Sequence, residues 1–297
     1  MAGAGEGPGA CDVLADTIAE LTFLEVQSAA REGAVLLWAF GVIEQHGPHL
    51  PTGTDVYLPT ARLRQVRAAL AEQGVRALIL PPYYWGVNVV SGSFPASYSV
   101  RPEIMREVVS DVLAGVARDG FRHVFCFSGH GDALHNATVY EGIRLGRSRT
   151  DADISFVTDA GLAQRLGWAL DDPALTVHGE GPALDAVASS PSAPRPADPS
   201  PFVDVHAGRW ETSLMMRVAP DLVREDVRAA LESTDHGVEQ LAVWRRGYED
   251  ARATTPLGYF GDPAAATSAE GERSLATSAL EAADAISARV RRGRSVS

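Results

Sequence analysis

Cysteine is scarce in this 297-residue sequence, which has only Cys11 and Cys126, far apart in the chain. Cys126 lies inside a short apolar run, whereas Cys11 follows a stretch rich in glycine and alanine. A disulfide framework is therefore not expected, and a reducing, cytoplasmic environment is predicted.

Basic residues are also few, with 26 lysines and arginines against 38 aspartates and glutamates and a net charge of −12. Because contacts to phosphates need clustered basic side chains, nucleic acid is not expected as a partner. No apolar run reaches the roughly 18–20 residues that a membrane span requires, so a membrane is not expected either. Residues 1–10 lack the basic start and apolar core of a secretory signal and are predicted to be a disordered tail.

Short apolar runs and amphipathic patterns alternate along the first 160 residues. This alternation is typical of parallel βαβ units with helices on both faces of the sheet. We therefore predict an α/β fold, a three-layer αβα sandwich with a mostly parallel central sheet. The predicted strands are residues 34–40, 77–80, 123–127 and 154–158, and the predicted helices are residues 22–31, 57–73, 102–118 and 133–145, with a long helix after residue 267.

Residues 189–201 interrupt this rhythm with five prolines. A linker between two domains is one interpretation. A long surface loop within a single domain of residues 11–297 is preferred, because motif-like residues resume directly after it. This loop is also a candidate lid over a pocket.

Potential metal ligands are concentrated just after the first predicted strand, where Glu44, His46, His49 and Asp55 lie within twelve residues. Two prolines and two glycines interrupt the segment, and a helix would not tolerate those prolines. In extended backbone, Glu44 and His46 point to the same side. The segment therefore predicts a folded loop that presents ligands at the end of a strand, where α/β enzymes place their chemistry.

Two further clusters follow later in the chain. His130 and Asp132 lie in a glycine-rich turn after the third strand, and His206 and Glu211 lie at the start of a predicted helix. Imidazole and carboxylate groups suit borderline divalent ions. A pair of such ions needs about five or six of these groups with one carboxylate shared, and the three clusters together supply that number.

Other interpretations stay open at this point. The first cluster could be an ordinary polar loop, and residues 128–131 could bind phosphate at a helix N-terminus, although the spacing and the lysine of a P-loop are missing. Ser128, His206 and Asp55 could form a hydrolytic triad, but no Gly-x-Ser-x-Gly elbow supports one. The remaining histidines are interpreted as ordinary surface or core residues: His123, His135, His178 and His236.

In combination, the motifs resemble those of the creatininase family, the creatinine amidohydrolase-like metallohydrolases. The signature Glu-x-His-Gly-x-His-Leu-Pro-x-x-Thr-Asp is complete at residues 44–55, and His-Ala-Gly-x-x-Glu-Thr-Ser is complete at residues 206–213. The Gly-His turn matches residues 128–132, and a late Gly-x-x-Gly-Asp-Pro segment matches residues 258–263. The resemblance implies a creatininase-like fold and assembly into homohexamers.

The resemblance also implies two divalent ions per subunit, with zinc favoured and manganese or iron as alternatives. One ion would bind Glu44, Asp55 and His130. The other would bind His46, Asp55 and Asp132, so that Asp55 bridges the pair.

Catalysis would then depend on His206, which moves protons at the scissile bond, and on Glu211, which is the substitute ligand if Asp132 does not reach. His49 would orient the ligand loop. Arg209 could bind a substrate carboxylate. The full set of predicted substrate contacts is Ser97, Gly131, Phe202, Arg209 and Trp210.

The implied activity is hydrolysis of a carbon–nitrogen bond other than a peptide bond, in a small amide or lactam, by attack of a metal-bridged hydroxide. Gly131 stands where creatininase carries a tyrosine, so creatinine itself is not favoured. One alternative is a peptidase that trims a small modified peptide, as in mycofactocin maturation. Another is a metal-binding protein without turnover, or one with lyase or cyclisation chemistry.

Overall fold

The computed structural model describes residues 12–179 and 202–294. Within these ranges, five strands form one parallel sheet with the order β2-β1-β3-β4-β5. The strands are β1 (Val35–Phe40), β2 (Ala77–Ile79), β3 (His123–Ser128), β4 (Asp153–Asp159) and β5 (Leu175–His178). The predicted tail and the proline-rich loop lie outside the described residues, as does Cys11.

Helices cover both faces of this sheet, which confirms the predicted α/β class. They are α1 (Phe23–Arg31), α2 (Thr54–Glu72), α3 (Pro102–Arg118), α4 (Ala133–Ser148), α5 (Ala160–Arg165), α6 (Arg209–Val218), α7 (Glu225–Ala229), α8 (Val238–Trp244), α9 (Tyr248–Thr254) and α10 (Ser268–Arg294). Among the described residues, no helix has both the length and the apolar character needed to span a bilayer.

The two layers of the core follow from the alternation of side chains along the strands. In β1, Leu36, Trp38 and Phe40 pack towards α3 and α4, whereas Val35 and Leu37 pack towards α2 and α10. Every residue of β1 is buried. This is why the strand is a continuous apolar run in the sequence.

The order of the strands determines where a site can form. β1 lies between β2 and β3, so the chain leaves the carboxyl end of β1 in one direction and that of β3 in the other. In open α/β sheets, such a reversal opens a crevice at the carboxyl edge, and ligands bind there. The loops after β1 and β3 carry the first two predicted ligand clusters, except for Asp55, which lies in the first turn of α2.

Two glycines let α2 approach this edge. Cβ atoms at Gly41 and Gly129, which directly follow β1 and β3, would collide with the backbone carbonyl of Asp55. Pro59 lies inside α2 and has no N–H to donate to that carbonyl. The first turn of α2 therefore lies against both strand ends, with Asp55 between them.

Candidate metal centre

Glu44, Asp55 and His130 meet at the carboxyl edge of β1 and β3, and all three are buried. Nδ1 of His130 lies 3.0 Å from Oε1 of Glu44 and 2.8 Å from Oδ2 of Asp55. Two carboxylates and one imidazole that converge in this way can hold a divalent cation.

His46, Asp55 and Glu211 form a second buried group, which shares Asp55 with the first. Nε2 of His46 lies 3.2 Å from Oδ1 of Asp55 and 3.7 Å from Oε2 of Glu211. The two oxygens of Asp55 thus face different histidines, as a carboxylate between two ions would. Glu211 stands where Asp132 was expected.

The hydrogen bonds of His46 indicate whether the group of His46, Asp55 and Glu211 can hold a cation. Nδ1 of His46 lies 3.2 Å from the backbone carbonyl of Glu44, which assigns the proton to Nδ1 and directs the lone pair of Nε2 at Asp55 and Glu211. Within the described ranges, His46 Nε2 is buried without a hydrogen-bond partner. In the neutral form of His46 this lone pair faces carboxylates, which is repulsive unless a positive charge, either a proton or a cation, lies between them, so the residues fit a divalent metal ion.

Electrostatics at both histidines support that fit. Burial disfavours the charged form of His46, but Asp55, Glu211 and Glu44 outweigh burial and raise the pKa of His46 to about 9. Burial is outweighed at His130 as well, where Glu44 and Asp55 raise its pKa well above the ordinary value. The carboxylates therefore create a field that strongly favours positive charge.

Asn88 and Ser91 hold Glu44 in place. Asn88 Nδ2 donates to Oε2 of Glu44 at 3.0 Å, and the hydroxyl of Ser91 donates to the same oxygen. Oε1 of Glu44 is thereby directed towards His130. The sequence prediction missed both residues, because they lie in an irregular loop whose only signal is its content of serine and glycine.

His206 lies beside both groups and forms a third buried group with Glu44 and His46 that could hold a metal ion. Its Nδ1 is 3.8 Å from Oε1 of Glu44 and 4.0 Å from Oε2 of Glu211, and its Nε2 is 2.9 Å from the backbone carbonyl of Gln45. The bond to that carbonyl assigns the proton to Nε2 and leaves the lone pair of Nδ1 facing the carboxylates. Burial, together with the charge of His46, lowers the pKa of His206 to about 4, so its imidazole is neutral at pH 7.

Gln45, which the sequence prediction also missed, connects His206 to the late glycine motif. Its side-chain amide donates to the carbonyl of Gly258 at 2.9 Å and accepts the N–H of Gly47 at 2.9 Å. Gly258 has a φ of +81°, and a Cβ there would collide with the side chain of Gln45. This close approach explains why the motif needs glycine at that position.

Asp132 lies apart from the two groups, although it lines the cavity beside them. One of its carboxylate oxygens accepts the N–H groups of Leu134 and His135 at the start of α4, and the other accepts those of Val89 and Val90. With four backbone donors, this carboxylate caps α4 and joins the loop to it. It belongs to neither of the two groups above.

Glu211 is positioned by a strained turn before α6. The backbone N–H of Ala207 donates to Oε2 of Glu211 at 2.6 Å, and Ala207 has a φ of +48°. This left-handed conformation costs a non-glycine residue about 1–2 kcal/mol. Burial raises the pKa of Glu211 to about 7, so its carboxyl group can exchange a proton near neutral pH.

His49 lies outside all the candidate ligand groups of the described chain. Its Nε2 is 2.9 Å from Oγ1 of Thr212 on α6, and its backbone carbonyl accepts the N–H of Arg224. Burial lowers the pKa of His49 to about 4. These contacts join the ligand loop to α6, and the role of His49 in orienting that loop stays a prediction. The four histidines interpreted as ordinary also lie outside the groups: His123, His135, His178 and His236.

A cavity of about 420 Å³ opens beside the two groups and is lined by Glu44, Asp55, His130, His206 and Glu211, among others. Of the predicted substrate contacts, Gly131 lines it, and a Cβ there would meet open space.

The other predicted substrate contacts lie elsewhere. Nε of Arg209 donates to Glu270 on α10 at 2.8 Å, and Oγ of Ser97 accepts the N–H of Gln45. Trp210 lines a smaller cavity behind Glu211. Phe202 is 48% exposed and is not part of the cavity wall. The sequence could not show which way the side chains of these residues point.

The chain is similar to known proteins over most of its length. The chain is 27% identical over 245 residues to a mycofactocin precursor peptide peptidase of Mycobacterium ulcerans (strain Agy99), covering 81% of this chain and 80% of the relative. It is 28% identical over 233 residues to the creatinine amidohydrolase of Pseudomonas putida, covering 70% and 74%.

Solved structures share the fold. A crystal structure of creatinine amidohydrolase superposes with a TM-score of 0.67 at 24% identity, over 92% of this chain and 97% of that one. A structure described as creatininase Mn superposes with a TM-score of 0.63 at 23% identity, over 94% and 98%. Residues 19–286 match the family described as creatininase, creatinine amidohydrolase, and the chain therefore belongs to the creatininase family.

Proposed function

We propose that this protein is a metal-dependent hydrolase that cleaves a carbon–nitrogen amide or lactam bond in a small molecule. The observation that carries the proposal is the pair of ligand groups that share Asp55 in the wall of a large cavity. A cavity of about 420 Å³ falls within the usual range for sites that bind drug-sized ligands. Membership of the creatininase family supports a hydrolase.

Two divalent ions would be held by Glu44, Asp55 and His130 and by His46, Asp55 and Glu211. When bound, such ions supply an acidified water and positive charge for the oxyanion that develops on the carbonyl. Zinc is our first choice, and manganese and iron are alternatives, because sites of histidine and carboxylate accept all three.

His206 is the acid–base group that we assign to the chain itself. Since its Nε2 donates to the carbonyl of Gln45, Nδ1 is the atom that can exchange a proton with the reacting groups. A pKa near 4 means that His206 begins neutral, so it takes up a proton before it delivers one to the leaving nitrogen. Glu211 lies 4.0 Å from the same Nδ1 atom and can share that proton.

Peptide trimming is the second candidate. It is favoured by the size of the cavity, by the open space at Gly131, and by the similarity to mycofactocin precursor peptide peptidases over about four fifths of the chain. No structural observation favours lyase or cyclisation chemistry.

Substitution of His206 tests the proposal. We expect His206→Ala to retain its metal, measured by elemental analysis, while turnover falls by about 10²-fold or more, because the acid–base group is lost. Turnover would be followed by mass spectrometry over a panel of lactams, simple amides and short peptides. Products from the peptides alone would favour the second candidate, and a metal-loaded protein that turns over nothing in the panel would contradict both. Loss of metal from His206→Ala would show that His206 is a ligand.

A further inference from the structure

Gly131 lies in the cavity wall between a candidate metal ligand and the start of a helix. It directly follows His130 and directly precedes Asp132, which caps α4. It lines the cavity and is exposed. The reaction proposed above uses no atom of Gly131, so the presence of glycine at this position needs a separate explanation.

The fold does not require a glycine at this position. The φ of Gly131 is not positive, so its backbone lies outside the left-handed region that favours glycine. A Cβ at Gly131 would have open space around it to 4 Å. Gly129, two residues earlier, is the opposite case, because a Cβ there would lie 2.5 Å from Pro59. Gly131 therefore contributes empty space to the cavity, whereas Gly129 permits close packing.

Hydrogen bonds hold the backbone on both sides of Gly131. The side-chain amide of Asn136 donates to the carbonyl groups of His130 and Asp132, at 2.8 Å in each case. The N–H of His130 donates to the hydroxyl of Ser128 at 3.2 Å. Because the chain is fixed before and after the glycine, we expect a larger side chain at residue 131 to fill the cavity while the path of the loop stays the same.

Apolar residues surround this space. Both oxygens of the Asp132 carboxylate are engaged by backbone N–H groups, and the donors include Val89, Val90 and Leu134. These three residues line the cavity, and Leu134 is one of the large apolar side chains that are exposed. An apolar ligand group that entered the space would cover them and would be removed from water itself, which is favourable.

We propose that the space at Gly131 binds a bulky apolar group next to the scissile bond, so that the enzyme acts on amides with an aromatic or branched aliphatic substituent. This inference rests on the proposed hydrolytic function and names its substrate class. The apolar group belongs either to the acyl side or to the amine side of the amide, and two pairs of substrates distinguish these sides.

The two pairs are tested with the metal-loaded enzyme. Acetamide and phenylacetamide both release ammonia and differ on the acyl side, whereas N-methylacetamide and N-benzylacetamide both release a primary amine and differ on the amine side. We expect the wild type to prefer the larger member of one pair by about tenfold or more in kcat/KM, because the phenyl ring is removed from water. In Gly131→Leu this preference should fall by about tenfold or more, because the leucine side chain occupies the same space.

Gly115→Leu is the matched control. Gly115 lies on α3 outside the cavity, and a Cβ there would meet the guanidinium group of Arg118 at 3.6 Å, which is an ordinary contact. The preference of this variant should equal that of the wild type. If the wild type hydrolyses these amides without a preference in either pair, the inference is overturned while the hydrolytic function stands. A preference that survives in Gly131→Leu would overturn it as well.

Thermal melts and elemental analysis test whether the fold needs this glycine. Gly131→Ala should raise the melting temperature by about one to three degrees, because alanine restricts the unfolded chain and meets no clash in the native state. The metal content of Gly131→Ala and of Gly131→Leu should equal that of the wild type. A lower melting temperature or a loss of metal in Gly131→Ala would show that the loop needs glycine, and the inference would then be wrong.

Binding is measured in parallel by calorimetry, so the inference stays testable without turnover. Either phenylacetamide or N-benzylacetamide should bind the wild type at least about tenfold more tightly than it binds Gly131→Leu. If no amide is hydrolysed and this difference is found, the hydrolytic function fails for these amides and the apolar subsite stands. If the two proteins bind both compounds equally, the apolar subsite is wrong.

Discussion

At the scale of single residues, Asp55 connects the two ligand groups. Its oxygens lie 3.2 Å from Nε2 of His46 and 2.8 Å from Nδ1 of His130. Burial would raise the pKa of Asp55, but the two histidines outweigh burial and hold the pKa well below its usual range. The carboxylate is therefore charged, and the close approach of α2 to Gly41 and Gly129 fixes its position.

Substitutions of Glu211 and Asp132 test which of the two residues is a metal ligand. We expect Glu211→Gln to reduce the metal content from two ions per subunit to one, because the second group loses its outer carboxylate. Asp132→Asn should keep both ions and lower the free energy of unfolding by about 1 kcal/mol, because one of its oxygens becomes an amide that faces backbone donors. Elemental analysis and thermal melts measure both effects. The reverse pattern of metal loss would restore Asp132 as the ligand.

The contrast between Asp132 and the other predicted ligands shows how much of the site a sequence can predict. The spacing of Glu44, His46 and Asp55 predicts that they share a loop, and the strand pattern brings His130 to the same edge. The orientation of Asp132 depends on the backbone N–H groups of Val89 and Val90, more than 40 residues away in an irregular loop. Such a loop has no periodicity from which its path could be predicted.

Ala96 offers a second test at this scale. Its φ is +57°, which is unfavourable for alanine. We expect Ala96→Gly to raise the free energy of unfolding by about 0.5–1 kcal/mol, since the relief of strain exceeds the extra entropy of glycine in the unfolded chain. Ala71→Gly, on an exposed part of α2, should lower it by a similar amount. Denaturant titrations measure both, and the same sign for the two variants would contradict the argument.

At the scale of elements, one ionic cluster joins two strands to the long helix. Arg289 on α10 donates to both oxygens of Asp153 on β4 and to the backbone carbonyls of Leu175 and Pro173. Arg147 on α4 donates to the same aspartate at 2.9 Å. The edge strand β5 is thereby held by a side chain more than 100 residues away.

Substitution of Asp153 should weaken this cluster. We expect Asp153→Asn to lower the free energy of unfolding by about 1–3 kcal/mol, because two buried or half-buried arginines lose their charged acceptor. The pKa of Asp153 is lowered, with burial opposing and Arg289 dominating the effect. Its contribution is therefore complete above the unfolded pKa of about 4 and is lost as the pH falls below that value.

Unfolding measured by denaturant at pH 7 and at pH 3.5 tests this prediction. The difference between wild type and Asp153→Asn should shrink at the lower pH. Asp111→Asn, which removes an exposed ion pair to Arg149, is the control and should change stability by less than about 1 kcal/mol. An equal effect of the two substitutions would contradict a special role for Asp153.

The elements that the sequence could predict are those with a local apolar pattern. β1, β3, β4 and the long helices are predicted from their apolar patterns alone. β5 is four residues long and α5 is six, so neither has enough periodicity to identify it. Both depend on tertiary contacts, β5 on Arg289 and its pairing with β4, and a local pattern contains no information about such contacts.

At the scale of the whole molecule, the metal ions should stabilise the fold. Ligands that bind the native state shift unfolding by about 2.7 kcal/mol per site at a free concentration of about 100 times Kd. We therefore expect zinc or manganese to raise the melting temperature of chelator-treated protein by several degrees, measured by calorimetry. Asp55→Asn should lose this shift, because both groups lose their shared ligand. An undiminished shift in that variant would mean that the ions bind elsewhere. Assembly into hexamers is still a prediction from the family resemblance.

The residues of the two ligand groups come from different parts of the chain and are therefore translated at different times. Glu44, Asp55 and His130 all leave the ribosome within the first half of the polypeptide, together with β1, β2 and β3. The group of His46 and Asp55 is incomplete until Glu211 has been translated, some eighty residues after His130. The first group therefore draws only on the first half of the chain, whereas the second joins that half to the start of α6.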